Sequence, residues 1–149
     1  MKYVNTTWID KQMNMNRKPL TTGCHHIGLT VNRLEESAAF FTECLGWQEI
    51  KRDDSYPAIF VSDANVMVSL WQSKLLHPPA FDKNHIGLHH VAFTVDSEEA
   101  LDKAYQAIKD YGVKIEFKPE LLRDGPAKHM ICYEPGGNRI ELIWPGQND

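Results

Sequence analysis

The feature that most constrains the fold of this chain is an internal duplication. The stretch HHIGLTVNRLEESAAFFTECLGW begins at His25, and HHVAFTVDSEEALDKAYQAIKDYGV begins 64 residues later, at His89. The His-His pair, the Thr-Val pair and one glutamate coincide when the two stretches are superposed. The simplest account is that one structural unit occurs twice.

Each copy predicts the same order of elements. A strand comes first, apolar residues at helical spacing follow, and the helix ends at Gly46 or Gly112. Three strand-like runs then follow in each copy, separated by turn residues: EIKRDD, PAIFVSD and NVMVSLWQ, then VKIEFKPE, AKHMICYE and NRIELIWP. The sequence therefore predicts a single domain over residues 23–149, made of two βαβββ modules at 23–76 and 86–145. A linker at 77–85 joins them, and polar residues 1–22 are predicted to form an N-terminal arm.

Composition excludes several classes of protein. A chain of 149 residues is long enough for one compact domain. The net charge of −4 shows no basic excess, so neither a nucleic acid nor an anionic membrane is an expected partner. No apolar run approaches the roughly 20 residues of a membrane span, and the first residues lack an apolar secretory core. We therefore expect a cytoplasmic protein. Its three cysteines have no paired spacing and are expected to be reduced thiols.

Strand alternation sorts the side chains of each predicted sheet into two faces. The apolar residues of the first strand in each copy fall on the face that packs on the helix. The opposite faces of four strands carry His26, Ser69, His90 and Glu141. If the two sheets curve around one cavity, these positions converge. Two imidazoles and one carboxylate would then hold a divalent ion without saturating it: Zn(II), Ni(II), Co(II), Mn(II) or Fe(II). Such an ion can accept a substrate oxygen as a Lewis acid.

The order HHIGLTVNRLEESAAFFTECLGW, HHVAFTV and EPGGNRIEL resembles the vicinal oxygen chelate superfamily. That superfamily includes glyoxalase I, methylmalonyl-CoA epimerase, fosfomycin-resistance thiol transferases, extradiol dioxygenases and bleomycin-sequestering proteins. The resemblance covers residues 23–145. It implies an α+β fold in which two βαβββ modules form a cupped, barrel-like mixed sheet, the glyoxalase/bleomycin resistance/dihydroxybiphenyl dioxygenase fold. It also implies a homodimer, with metal ligands at His26, His90 and Glu141.

The chain departs from this family at the position of a fourth ligand. Glyoxalase I has a glutamate there and the epimerase a glutamine, whereas this chain has Ser69, whose hydroxyl is a poor ligand for such ions. We therefore expect three protein ligands, with water or substrate completing the coordination. The acid-base tyrosine and histidine of the dioxygenases would fall on Ile131 and Leu122, so that pair is missing.

Several other side chains are candidates for the substrate pocket. His129 is the candidate acid or base, because imidazole titrates near neutrality, and a rim histidine bonded to water is the alternative. Trp71 and Tyr133 share its inward parity, and either they line a pocket or they fill the barrel. Arg123 either receives an anionic substrate group or belongs to a solvated loop. Ser69 completes the candidate set.

These residues predict a divalent-metal-dependent enzyme, a glyoxalase-like lyase or isomerase that acts on a small oxygen-chelating substrate. Two alternatives stay open. An Fe(II) extradiol-type dioxygenase would need His129 as its base. A non-catalytic protein of the bleomycin-resistance type would bind a drug or another small molecule, and such proteins generally lack the metal triad. The retained ligands argue against the second alternative.

Overall fold

The structure is a computed structural model, and it describes residues 18–146. Most of the predicted arm, residues 1–22, lies outside this range. Within it, residues 18–22 are exposed and form neither helix nor strand.

Both modules contain the predicted order of elements. The first has β1 (His26–Val31), α1 (Leu34–Ala39) continuing into a π-helical turn (Phe40–Cys44), β2 (Gln48–Asp53), β3 (Ala58–Ser62) and β4 (Met67–Gln72). The second has β5 (Val91–Thr94), α2 (Glu98–Tyr111), β6 (Ile115–Leu121), β7 (Lys128–Tyr133) and β8 (Arg139–Trp144). The βαβββ prediction is confirmed in each module.

Each module forms its own four-stranded mixed sheet. The strand orders are β1-β4-β3-β2 and β5-β8-β7-β6, and in each sheet the first strand is parallel to the last. Gly28 pairs with Ser69 in the first sheet, and Ala92 pairs with Glu141 in the second. Ser69 therefore occupies in the first module the position that Glu141 occupies in the second.

Local sequence explains where α2 begins and ends. The Ser97 side chain accepts a hydrogen bond from the backbone N–H of Ala100 at 3.0 Å, which satisfies a free donor of the first turn. Gly112 ends the helix in the left-handed conformation, with φ 87°, and its N–H donates to the carbonyl of Ile108. At 14 residues α2 is short, and no helix within residues 18–146 has the length and apolarity needed to cross a membrane.

One apolar core is shared by the two modules. Phe93 on β5 contacts Phe41 and Trp47 of the first module, with ring centroids 6.3 and 4.9 Å apart. The helix-facing residues of both sheets belong to the same cluster. Because side chains alternate along a strand, the faces that carry His26 and Glu141 are both turned away from this core.

A buried hydrogen-bond network joins the modules at the turn between β7 and β8. The Glu134 carboxylate is 1% exposed and accepts from the Ser37 hydroxyl of α1 at 2.5 Å and from the Gly136 N–H at 2.7 Å. It also accepts from the backbone and side-chain amides of Asn138, both at 2.9 Å. The Asn138 amide donates in addition to the carbonyl of Thr30 in β1. This turn is therefore anchored to both α1 and β1.

Candidate metal centre

Three predicted site residues of the second module lie together on the face turned away from the core. His90 directly precedes β5, His129 lies on β7 and Glu141 on β8. His90 Nε2 is 2.9 Å from Glu141 Oε2, and His129 Nδ1 is 2.7 Å from Glu141 Oε1. The Glu141 side chain is 9% exposed, so its carboxylate is enclosed between two imidazoles.

The hydrogen bond to Glu141 fixes which ring nitrogen of His129 donates. A carboxylate only accepts, so His129 Nδ1 carries a proton and donates it. In the neutral ring the lone pair is then on Nε2, which is the form that acts as a general base. The ring packs on Phe117, with centroids 4.9 Å apart, and its side chain is 14% exposed. The structure thus places the acid-base candidate next to a predicted ligand, in a fixed orientation.

A chain of close contacts links Arg139 to His90. Arg139 Nη1 lies 3.3 Å from His89 Nδ1, and a guanidinium only donates. His89 Nδ1 also lies 2.8 Å from His90 Nδ1, and one of these two nitrogens carries the proton that joins them. In the tautomer in which His90 Nδ1 carries it, the lone pair of the neutral ring is on Nε2, on the side of Glu141.

The contact between His90 and Glu141 fits either a hydrogen bond or a shared metal ion. His90 Nε2 and Glu141 Oε2 are 2.9 Å apart, so a proton on His90 Nε2 joins them as an ordinary hydrogen bond. An imidazole nitrogen and a carboxylate oxygen are also ligands that Zn(II) and similar ions take. These two side chains could therefore hold a divalent ion in place of that proton.

An ion pair that the sequence did not predict holds Arg139 in place. Its guanidinium donates to the Glu116 carboxylate at 2.7 and 2.9 Å, and the Tyr133 hydroxyl donates to the same carboxylate at 2.6 Å. The bonds from Arg139 lower the pKa of Glu116 to about 2, and the bond to Glu116 raises the pKa of Tyr133. Tyr133, which the sequence predicted as a pocket residue, thus belongs to the network that orients Arg139 toward His89.

His26 is not part of this cluster. Its ring is exposed, and its Nδ1 lies 2.9 Å from the Nδ1 of His25. Among residues 18–146, no group of three or more His, Cys, Asp or Glu side chains is arranged to hold a metal ion. The predicted triad is therefore not assembled within the described part of one chain. The physical reason is that the two modules meet through their helix-bearing sides, which leaves the two histidine faces apart.

Ser69 and Trp71 lie side by side on the corresponding face of the first module. Ser69 is 1% exposed, and its hydroxyl oxygen accepts a hydrogen bond from the indole Nε1–H of Trp71 at 2.9 Å. The same hydroxyl lies 3.5 Å from the carbonyl oxygen of Ile27. The residue at the position of the family's fourth ligand is therefore a serine that accepts a hydrogen bond from an indole.

Arg123, the remaining predicted pocket residue, lies in the turn between β6 and β7. It is exposed and has a φ of 55°. Within residues 18–146 it makes no hydrogen bond to the histidine cluster. The structure thus does not bring it together with His90, His129 and Glu141.

A groove of about 510 Å³ runs between the end of β1 and the linker. It is lined by Thr30, Asn32, Phe81, His85 and Asn138, among others. None of the predicted site residues lines it. This groove is therefore separate from the histidine cluster.

Comparison with known proteins agrees with this fold. A sequence profile of the Glyoxalase/Bleomycin resistance protein/Dioxygenase superfamily matches residues 23–142. The uncharacterized protein YqjT of Bacillus subtilis (strain 168) is 25% identical over 126 residues, which cover 81% of this chain and 98% of YqjT. The glyoxylase/bleomycin resistance protein/dioxygenase domain from Frankia sp. EAN1pec superposes with a TM-score of 0.74 at 22% identity, over 84% of this chain and 98% of that one.

Lactoylglutathione lyase from Agrobacterium tumefaciens superposes with a TM-score of 0.66 at 15% identity, over 85% of this chain and 96% of that one. At these identities the solved structures establish the fold, and the profile match establishes the family. The chain, with its two βαβββ modules, belongs to the glyoxalase/bleomycin resistance protein/dioxygenase superfamily.

Proposed function

We propose that the protein is a divalent-metal-dependent enzyme of the glyoxalase type, a lyase or isomerase. Its substrate would be a small molecule that chelates the ion through one or two adjacent oxygens. The observation that carries this proposal is the enclosed Glu141 carboxylate, with His90 Nε2 2.9 Å from one oxygen and His129 Nδ1 2.7 Å from the other. His26 would supply the third ligand.

The bound ion would supply Lewis-acid stabilisation of the negative charge that develops on a substrate oxygen. The chain's own side chains would transfer the proton. Glu141 holds His129 through Nδ1, so Nε2 is free to take a proton from the carbon beside the chelating oxygens and to return it to the neighbouring carbon. Phe117 packs against this imidazole, with ring centroids 4.9 Å apart.

We infer that His26 reaches the ion from a second copy of the chain. Within one chain, the faces that carry His26 and Glu141 are both turned away from the shared core. Leu76 and Ile86, which flank the linker, are 88% and 108% exposed, and a partner would cover such apolar side chains. In a two-fold symmetric homodimer, each copy gives His26 to one centre and His90 with Glu141 to the other.

The position of His129 also favours a second candidate, an Fe(II) ring-cleaving dioxygenase. This reaction needs a base close to the ion, and the family's tyrosine and histidine positions hold Ile131 and Leu122. His129, bonded to Glu141 at 2.7 Å, is placed to replace them.

Elemental analysis of protein purified without added metal, followed by two assays, separates the candidates. We expect one ion per chain, and zinc, nickel or cobalt together with isomerisation of a hemithioacetal supports the first candidate. Iron together with oxygen uptake on catechols supports the second. His129→Gln should keep the ion and lower turnover by about 10²–10⁴-fold, because it removes a general base. The exposed His85→Gln is the matched control. Protein that holds no metal, combined with an affinity for divalent ions that His90→Ala leaves unchanged, would contradict both candidates.

A further inference from the structure

We propose that the first module contains a binding platform for an aromatic ring that carries an anionic group. The platform consists of Trp71, Tyr56 and Phe60, with Gly28 at its open side. As a site for the substrate of the proposed enzyme it rests on the proposed function; as a binding site it does not depend on a metal.

The platform lies where the second module holds its carboxylate. Gly28 pairs with Ser69 across β1 and β4, as Ala92 pairs with Glu141 across β5 and β8. The serine side chain is much smaller than that of glutamate, and Trp71 donates its indole Nε1–H to the serine oxygen at 2.9 Å. Where the second module has the Glu141 carboxylate, the first thus has a small serine that is bonded by the indole of the neighbouring Trp71.

Two further aromatic rings fix the orientation of the indole. Tyr56 and Phe60 meet it edge to face, with ring centroids 5.1 and 5.8 Å away. The Asp53 carboxylate accepts from the backbone N–H groups of Ser55 and Tyr56 at 3.0 and 3.4 Å, which orders the turn that presents Tyr56. A ring held in this way loses little conformational freedom when a ligand binds, which favours affinity.

Gly28 borders the edge of the indole. A Cβ atom at this position would lie 3.5 Å from Ser69 Oγ and 3.9 Å from Trp71 Nε1, both ordinary van der Waals distances. Gly28 itself is exposed. Gly28→Ala is therefore compatible with the fold, but its methyl group would occupy space beside the indole that the ring of the proposed ligand needs.

Two ammonium groups flank the platform and favour a negatively charged ligand. Lys74 Nζ lies 4.1 Å from the centroid of the Tyr56 ring, and Lys51 Nζ lies 5.5 Å from that of Phe60. Both lysines are exposed and can turn toward a ligand carboxylate. The nearby Asp53 carboxylate already accepts hydrogen bonds from its own turn. The ligand class is therefore an aromatic acid, with its ring on the indole and its carboxylate toward the lysines.

Calorimetric titration with two matched acids tests the platform. Benzoate and cyclohexanecarboxylate carry the same carboxylate, and only the first has a flat ring. We expect benzoate to bind about tenfold tighter, the amount that a stacking contact contributes. The same ratio is expected for protein loaded with a divalent ion and for protein stripped with a chelator. Trp71→Leu should abolish the ratio and Gly28→Ala should reduce it, whereas Phe81→Leu, an aromatic residue of the linker, should leave it unchanged. Thermal melts of each variant check that it folds.

Equal binding of the two acids, or an unchanged ratio in Trp71→Leu, would overturn the platform. A second contrary result is that the affinity ratio of the two acids persists in Trp71→Leu while this variant alone changes from dimer to monomer. That result would make this face an interface between two copies of the chain instead. The proposed function fails separately: protein that binds no metal but keeps the ratio retains the platform. Normal metal binding, combined with equal affinities for the two acids, leaves the proposed function in place and rules out the platform alone.

Discussion

At the scale of single residues, Arg139 acts on the predicted ligand His90 through His89. Its guanidinium lies 3.3 Å from His89 Nδ1, which in turn lies 2.8 Å from His90 Nδ1, so Arg139 positions both rings. Replacing Arg139 with glutamine shortens the side chain and removes its charge. We expect the affinity for Co(II) to fall by about 10–100-fold, as for other groups that orient a metal-bound histidine.

Absorption titration with Co(II) measures this effect, because the visible bands report the ligands of the ion. Arg123→Gln, in an exposed turn, is the control. Equal affinities for the two variants would show that Arg139 does not position His90.

Glu116 should stabilise the protein near neutral pH and lose this effect in acid. Its pKa is lowered to about 2, first by the hydrogen bonds from Arg139, against the ordinary value of 4.5. A carboxyl whose pKa is lowered in the folded protein stabilises the fold at pH values above its ordinary pKa. This stabilisation is lost as the pH falls through the lowered pKa. The difference in melting temperature between wild type and Glu116→Gln should therefore be constant near neutrality and shrink between pH 4.5 and about 2.

Thermal melts over this pH range check the prediction, with Glu120→Gln on the same strand as control. A difference that stays constant down to pH 2 would mean that the ion pair with Arg139 contributes nothing to stability.

Strand parity predicted the faces of Glu141 and His129 because alternation depends only on position along a strand. Arg139, two residues before Glu141 on β8, lies on the same face by this alternation. Its partner Glu116 was not predictable, since the pairing of β6 with β7 shifts between Ile115 and Phe117 and again before Glu120. Two such irregularities make the register of β6 unreadable from the sequence.

At the scale of elements, the buried carboxylate of Glu134 holds the β7–β8 turn against α1. Glu134→Ala would leave the Ser37 hydroxyl and three N–H groups without their acceptor. We expect the free energy of unfolding to fall by about 3 kcal/mol, and by about 1 kcal/mol in Ser37→Ala, which removes one bond.

Urea denaturation measures both changes. Glu36→Ala is the control, since the pair of Glu36 with Arg33 is more than half exposed and contributes little. A loss in Glu134→Ala no larger than that in the control would show that the network does not hold the modules together.

The elements themselves were predictable, but this contact was not. Helical spacing, the glycine at each helix end and the turn residues predict all eight strands and both helices. The PGGN stretch predicts a turn. That Glu134 before it would bond Ser37, 97 positions earlier in the chain, depends on how the modules pack.

At the scale of the whole molecule, the duplication predicts two modules but not how their faces meet. The sequence allowed one cup within a chain, with His26 beside His90 and Glu141. Instead the helix-bearing sides share one core, as the contact between Trp47 and Phe93 shows. Alternation along a strand distinguishes the apolar side from the polar side but not which polar sides face each other. We therefore infer that a second copy of the chain completes the cup.

Subunit mixing with metal analysis tests this account most directly. His26→Ala and Glu141→Ala should each lose tightly bound metal, while His25→Ala should keep it. When the two deficient variants are unfolded and refolded together, half of the dimers combine one chain of each kind, and each of these dimers has one complete centre. The mixture should thus regain about a quarter of the wild-type metal content. Full metal content in either single variant, or none in the mixture, would contradict a centre shared between two copies.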